Sequence, residues 1–509
     1  MTDNESTTTS LLAHGEDHAV ALGAPGGAPL TYASLRALRD DTVTALRAHG
    51  IGAGDRVAMV LDNGPEMAAA FLCIGAGATA APLNPGYRAE EFEFYLTDLR
   101  AKLLVVGHLT QSPAVDVAVR LGVPVARLVP HPERGAGTFS LELSADTTAV
   151  PASNRPASPD DIALVLHTSG TTSRPKIVPL SHRNVCASAY NVSAALALSA
   201  DDRALVIMPL FHIHGLIASL LAPLSAGGEV FCTTGFNALK FFGWLADVKP
   251  TWYTGVPTMH QAILARAPQN LDVVRAHRLR LIRSSSSSLP TRVIGELEAL
   301  FEVPVIESYG MTEAAHQMAS NLLPPGVRKP GTVGPAAGPE VRVADGTGAT
   351  VATGLTGEIV IRGPNVMEAY EANPEANAGA FYADWFRTGD QGTMDADGYV
   401  TITGRLKEII NRGGEKISPR EVDEIMMEHP AVHQCVTFGL PHDMLGEEVA
   451  AAIVLKPETH ATEKQLRQFA LSRMADFKAP RKIVILAEIP VGATGKLQRI
   501  GLAQKLGLA

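Results

Sequence analysis

The chain has 509 residues, 46% of them hydrophobic and 19% charged, and a formal net charge of -9. That length exceeds what one compact core holds, so at least two domains are expected. The acidic balance excludes a general nucleic-acid binder, which would carry a basic stripe, and four scattered cysteines without a CxxC pair point to a reducing, cytoplasmic setting rather than a disulfide framework.

In chain order, the opening MTDNESTTTS has neither a basic stretch nor an apolar core, so no secretion signal is expected. Residues 56–61 (RVAMVL) read as a strand, and Asn63-Gly64-Pro65-Glu66 opens a helix that runs through Gly75. The uncharged window 67–87 is interrupted by Pro82, Asn84 and Pro85, so it reads as a helix followed by a strand, with no membrane span. Helix then strand recurs at 90–99 and 102–106, and again at 291–301 and 304–307. This alternation predicts an α/β architecture of parallel sheets covered by helices. Pro, Gly and Ala thicken over 130–160 and 324–356, which read as surface loops, and the last hundred residues read as a small α+β domain.

The stretch HTSGTTSRPK (167–176) follows the aliphatic run 162–166. A strand leading into Gly170-Thr171-Thr172-Ser173 gathers backbone N–H groups and hydroxyls at one turn, an arrangement that can wrap an anion. Composition alone leaves a polar surface turn equally open. It is not a Walker A loop, because the Gly495-Lys496 pair is followed by Leu497. There is no GxSxG elbow, and the loose GxGxxA at 75–80 closes a helix where a dinucleotide site would open one.

Four later stretches make the turn specific. They are ESYGMTE (307–313), WFRTGD (385–390), GRLKEIINRGGEKISP (404–419) and GATGKLQR (492–499). In this order, from about residue 10 to 505, the set resembles the adenylate-forming superfamily of acyl-CoA synthetases, adenylation domains and firefly luciferase. The resemblance implies a large multi-sheet N-terminal domain (1–403) for ATP and the acid, a hinge at 404–408, and a small mobile α+β C-terminal domain (409–509). It implies that a carboxylate attacks the α-phosphorus of ATP, giving an acyl-adenylate and pyrophosphate, and that coenzyme A then displaces AMP. Two anions meet in the first step, so fixed positive charge and donors are required at the transition state.

The resemblance also assigns roles. Lys496 would bridge the substrate carboxylate and the α-phosphate. Thr168, Ser169, Gly170, Thr171, Thr172 and Lys176 would hold the outer phosphates. Glu313 would ligate Mg2+, a hard cation that prefers oxygen. Thr312 would reach the α-phosphate, Tyr309 would flank the adenine, and Asp390 with Arg405 would hold the ribose. Lys407 would be the hinge residue, and Gly413 and Gly414 would let the pantetheine arm of coenzyme A pass close to backbone. Ile177 stands where the family usually has glycine.

Three stretches are expected to line the acid pocket: FHIHG (211–215), the serine run 284–288, and AAH (314–316) after the Mg2+ glutamate. Their polar members, His214, Ser287, Ser288 and His316, suit a small acid carrying a second negative group, since a buried polar wall without partners costs roughly 1–3 kcal/mol per group. His212 would serve the gate between the ATP and acid pockets. It would share a face with His214 if the segment were extended. HTSGTTSRPK, FHIHG, MTEAAH and NRGGEKISP together look like the oxalate–CoA ligase branch, with a malonate-type or other short-chain synthetase as the alternative and a carrier-protein-loading enzyme more distant. No nucleic-acid or membrane partner is expected.

Overall fold

The computed structural model describes residues 6–143, 152–153, 155–168, 175–490 and 499–509. The chain divides into two compact units. One gathers residues up to Thr168 with Ile177–Val341 and Ile361–Ala380; the other gathers Lys176, Arg342–Val360 and the chain from Phe381 onward.

The first unit holds two sheets among its described residues. Seven strands follow the order Phe139–Leu143, Val125–Pro130, Leu103–Gly107, Arg56–Val60, Thr79–Pro82, Ile162–Thr168 and Lys176–Ser181. Eight strands form the other sheet, in the order His316–Ser320, Val305–Met311, Leu281–Ser284, Trp252–Gly255, Arg203–Val206, Glu229–Cys232, Val20–Gly23 and Leu30–Thr31. The central pairings are parallel, as the helix–strand alternation predicts. The helices read from sequence are present as Pro65–Gly75, Ala89–Asp98 and Thr291–Phe301.

The loop reading of 130–160 and 324–356 needs correction, because strands Phe139–Leu143 and Glu340–Ala344 lie inside those segments. Both are short and terminate their sheets in the pairing order. Phe139–Leu143 alternates buried and exposed positions, so each carries too little apolar sequence to stand out among prolines and glycines. Ile177 finds a packing reason: it is buried in the cluster of Val165, Leu104 and Ala81, so the strand of Lys176 begins with a core residue.

The other unit holds a sheet of Glu340–Ala344, Gly357–Arg362, Trp385–Met394, Phe381–Tyr382 and Val400–Arg405. A further five-stranded sheet is built on the hairpin Val432–His442 with Gly446–Leu455, and is joined by helices Pro419–Met427 and Glu463–Arg473. This is the small α+β assembly expected at the C-terminal end. Among the described residues, no helix is long and apolar enough to cross a membrane.

Candidate active site

The carboxyl ends of the parallel strands in the eight-stranded sheet carry the richest chemistry, where open α/β sheets bind ligands. Strand Val305–Met311 turns back through Thr312–Ala314 into His316–Ser320, with Met311 opposite His316. Thr312 and Glu313 therefore sit in the turn of a tight hairpin. Ala315 and His316 both have positive φ, 46° and 102°, a conformation that costs non-glycine residues energy and clusters at functional sites.

Gly310 permits the closeness, since a Cβ there would lie 1.9 Å from the carbonyl oxygen of His316. The segment 365–370 straps the turn. Buried Asn365 donates to the carbonyls of Ala314 (2.8 Å) and Gln317 (2.9 Å), Met367 N–H donates to the Glu313 carbonyl (2.8 Å), and the Tyr370 hydroxyl donates to Glu313 Oε1 at 2.8 Å. Glu313 is buried, and its carboxylate takes no other hydrogen bond among the described residues. A hard oxygen donor held this way fits Mg2+. Tyr309 is buried in the same strand, opposite Ala319.

Beside this hairpin lies a cluster that sequence reasoning found only in part. Arg283, fully buried at 0% exposure, sits in strand Leu281–Ser284 with Thr254 and Ile306 as its strand neighbours. Its Nη1 donates to His214 Nε2 (3.3 Å) and Thr254 Oγ1 (3.4 Å), and its Nη2 donates to His316 Nε2 (3.0 Å) and Gln317 Oε1 (3.2 Å). Its Nε has no hydrogen-bond partner among the described residues. All four acceptors are neutral, and no carboxylate pairs with the guanidinium among the described residues.

Burial pushes the Arg283 pKa down to about 9, and burial, then the Arg283 charge, holds His316 well below the usual histidine value. An imidazole nitrogen that accepts from arginine carries no proton, so His316 is protonated on Nδ1. The rings of His214 and His316 stack with centroids 4.8 Å apart and planes 17° from parallel. His214 Nδ1 meets Ser286 Oγ at 3.0 Å, and its Nε2 also meets Thr254 Oγ1 at 2.7 Å.

The remaining expectations resolve as follows. His212 and His214 do not lie on an extended segment: His214 begins a π-helical stretch, His214–Leu221, and is buried, whereas His212 is only partly buried and tilts against Phe211. The following Gly215 fits because a Cβ there would stand 2.1 Å from the Pro209 carbonyl oxygen. Within the serine run the histidine meets Ser286, while Ser287 is exposed and Ser288 partly buried. Thr168 ends its strand with a buried Oγ1 that has no partner among the described residues, and Lys176 opens the next strand. Ser169, Gly170, Thr171, Thr172 and Lys496 lie outside the described residues.

In the other unit, Asp390 and Arg405 face each other across an antiparallel pair, with Oδ1 and Nε 3.0 Å apart. Glu358 braces their motif by accepting from Arg387 Nε (3.0 Å) and Gly389 N–H (3.1 Å). Lys407 is exposed in the turn Leu406–Glu408. Gly413 and Gly414 (φ 59° and 96°) form the two-residue turn between Ile410–Arg412 and Glu415–Ile417, the positive-φ pair a tight hairpin demands.

Sequence reasoning missed Arg283, Gln317, Thr254 and Tyr370. Only Arg283 left a signal: a cation flanked by Leu281, Ile282 and a serine run inside a strand otherwise made for burial.

Comparison with known proteins identifies the family. The family model for AMP-binding enzymes matches residues 11–371, and that for the AMP-binding enzyme C-terminal domain matches residues 421–496. The chain is 43% identical over 491 residues to an oxalate–CoA ligase of Arabidopsis thaliana, covering 95% of each chain. It is 41% identical over 477 residues to an oxalate–CoA ligase of Saccharomyces cerevisiae, covering 88% of this chain and 86% of that one. The crystal structure of ATP-bound MatB from Rhodopseudomonas palustris superposes with a TM-score of 0.87 at 30% identity, covering 98% of each chain. The chain thus belongs to the AMP-binding enzyme family and is an AMP-forming acid–CoA ligase that works through an acyl-adenylate.

Proposed function

We propose that the acid is oxalate, converted with ATP and coenzyme A to oxalyl-CoA, AMP and pyrophosphate. The observation that carries this reading is the wall of His214, Thr254, His316 and Gln317 around a buried guanidinium that no carboxylate among the described residues neutralises. An aliphatic tail placed there would leave the guanidinium charge without a counter-ion, whereas a compact dianion supplies one. The oxalate–CoA ligases among the relatives support the same choice.

In this reading Thr168, Lys176 and the hydroxyl-rich residues 169–172 bind the outer phosphates, Thr312 meets the α-phosphate, and Tyr309 flanks the adenine. Asp390 accepts from the ribose hydroxyls beside Arg405. Glu313, oriented by Tyr370, holds Mg2+, which when bound neutralises charge on the phosphates. Lys496 completes the neutralisation of carboxylate and α-phosphate, and His212 lies on the path between nucleotide and acid. Residues 404–408, with Lys407, act as the hinge between 1–403 and 409–509, and the Gly413-Gly414 turn faces the pantetheine arm of coenzyme A. The four cysteines are buried free thiols, which supports a reducing, cytoplasmic setting.

A panel of oxalate, malonate, acetate and octanoate with ATP, Mg2+ and coenzyme A tests the assignment through pyrophosphate release and thioester formation. Oxalate is expected to give the highest kcat/KM. Faster turnover of octanoate refutes a polar acid pocket, and adenylate formed without any coenzyme A thioester points instead to a carrier-loading enzyme.

A further inference from the structure

The Arg283 cluster is built for a charge that the described residues do not supply. The side chain is fully buried, its four hydrogen bonds end on neutral His214, Thr254, His316 and Gln317, and Nε–H is left over. Other internal arginines are handled differently. Arg499 lies against Asp423 (2.7 Å) and Glu408 (3.2 Å), and Arg412 against Glu448 (2.6 Å). A buried charge is ordinarily paired because desolvation is so costly, so one held by neutral acceptors is a receptor in waiting.

Its location names the ligand. His316 directly follows the turn that contains Thr312 and Glu313, and Arg283 bonds to it. A group bound at Arg283 is therefore at the same strand ends as the chemistry. His214 and Thr254 hold Nη1, and His316 and Gln317, neighbours on one strand, hold Nη2, so the guanidinium has a fixed direction. With its Nη N–H groups taken, the charged group has Nε–H left, which one carboxylate oxygen can accept from.

We propose that Arg283 is the specificity-determining residue of this enzyme: it receives the carboxylate of a diacid that is not being adenylated, with His214 and His316 as neutral positioning residues behind it. The proposal rests on the small-diacid reading above and deepens it. A monoacid of the same size leaves the guanidinium uncompensated, so selection acts against the missing charge as well as for the present one. The carboxylate bound to Arg283 stays ionised and unreactive, while its twin is free to attack phosphorus.

The test compares oxalate, malonate and glyoxylate, the last a monoanion of oxalate's size, in wild type, Arg283→Met and Arg283→Lys by pyrophosphate release. Wild type is expected to favour a diacid over glyoxylate by about 10²-fold or more in kcat/KM, the loss that follows when one partner of a buried charge pair is removed. Arg283→Met should bring that ratio to within about tenfold while the KM for ATP holds. Arg283→Lys keeps the charge without the spare Nε–H, so it should retain the diacid preference with a raised KM for the acid, and it serves if the Met variant does not fold.

Wild type that uses glyoxylate as well as either diacid overturns both this inference and the diacid reading. Preference for malonate over oxalate, with collapse in Arg283→Met, refutes oxalate and upholds Arg283. A diacid preference that survives in Arg283→Met, or an unchanged acid KM in Arg283→Lys, overturns the role of Arg283 and leaves the substrate reading standing.

Discussion

Tyr370 lies 57 residues from Glu313 in sequence, yet its hydroxyl donates directly to the carboxylate at 2.8 Å. A hydrogen bond to a charged group is worth about 1.5–3 kcal/mol, and in the proposed site it fixes which oxygen is left for Mg2+. Tyr370→Phe is expected to lower kcat about tenfold and to raise the Mg2+ concentration needed for half-maximal rate, read from a metal titration of pyrophosphate release. An unchanged titration would show that the phenol only packs. At this scale the motif residues with fixed spacing (Glu313, Asp390, Arg405) stand out in the sequence as candidates. Their second partners were not: Tyr370, Asn365 and Gln317 are common residue types in unremarkable local sequence, and only proximity gives them work.

The hairpin of Val305–Met311 and His316–Ser320 is the element on which the site depends. Two adjacent residues with positive φ, a glycine against a carbonyl and an asparagine bridging both sides leave it little room to relax. Gly310→Ala forces backbone apart, since its Cβ would sit 1.9 Å from the His316 carbonyl oxygen. The variant is expected to lose about 10²-fold or more in adenylate formation, because a 1 Å misplacement of reacting groups costs that much, while circular dichroism shows the fold retained. Wild-type pyrophosphate release from Gly310→Ala would mean the turn tolerates opening. The sequence predicted this strand from its aliphatic start. It did not predict the strained turn, because φ values at Ala315 and His316 are imposed by the strap at 365–370 rather than by local preference.

Across the whole molecule, buried histidines set the acid limit of stability. Burial lowers His182 and His260 to about 4 from an ordinary 6.5. His182 accepts from the Thr8 N–H through Nδ1, which requires the neutral ring, and His260 faces the Tyr253 hydroxyl. Above pH 6.5 both folded and unfolded chains hold these rings neutral. As pH falls from 6.5 toward 4 the unfolded chain takes up protons that the native one refuses, so stability falls, by roughly 3 kcal/mol per ring at the lower end. His316 acts in the same direction. Asp423, whose carboxyl is raised by burial, opposes them with a single proton. The melting temperature is expected to drop steadily between pH 6.5 and 4, and His260→Leu should flatten that dependence. A pH-independent melting temperature would place these rings in contact with water.

By itself the sequence determined the α/β class, the two-part organisation and the adenylate-forming chemistry. Helix–strand alternation and ordered motifs are local properties, written in periodicity and spacing. It also raised the expectation of a polar acid pocket through His214 and His316. Only the tertiary structure brings those histidines onto one buried guanidinium. Arg283 comes from one parallel strand, His214 from the start of a π-helical stretch and His316 from a strained hairpin, and their sequence positions span about a hundred residues. Whether a buried cation has a counter-ion is a question about everything within a few ångströms of it, and chain order carries no record of that distance.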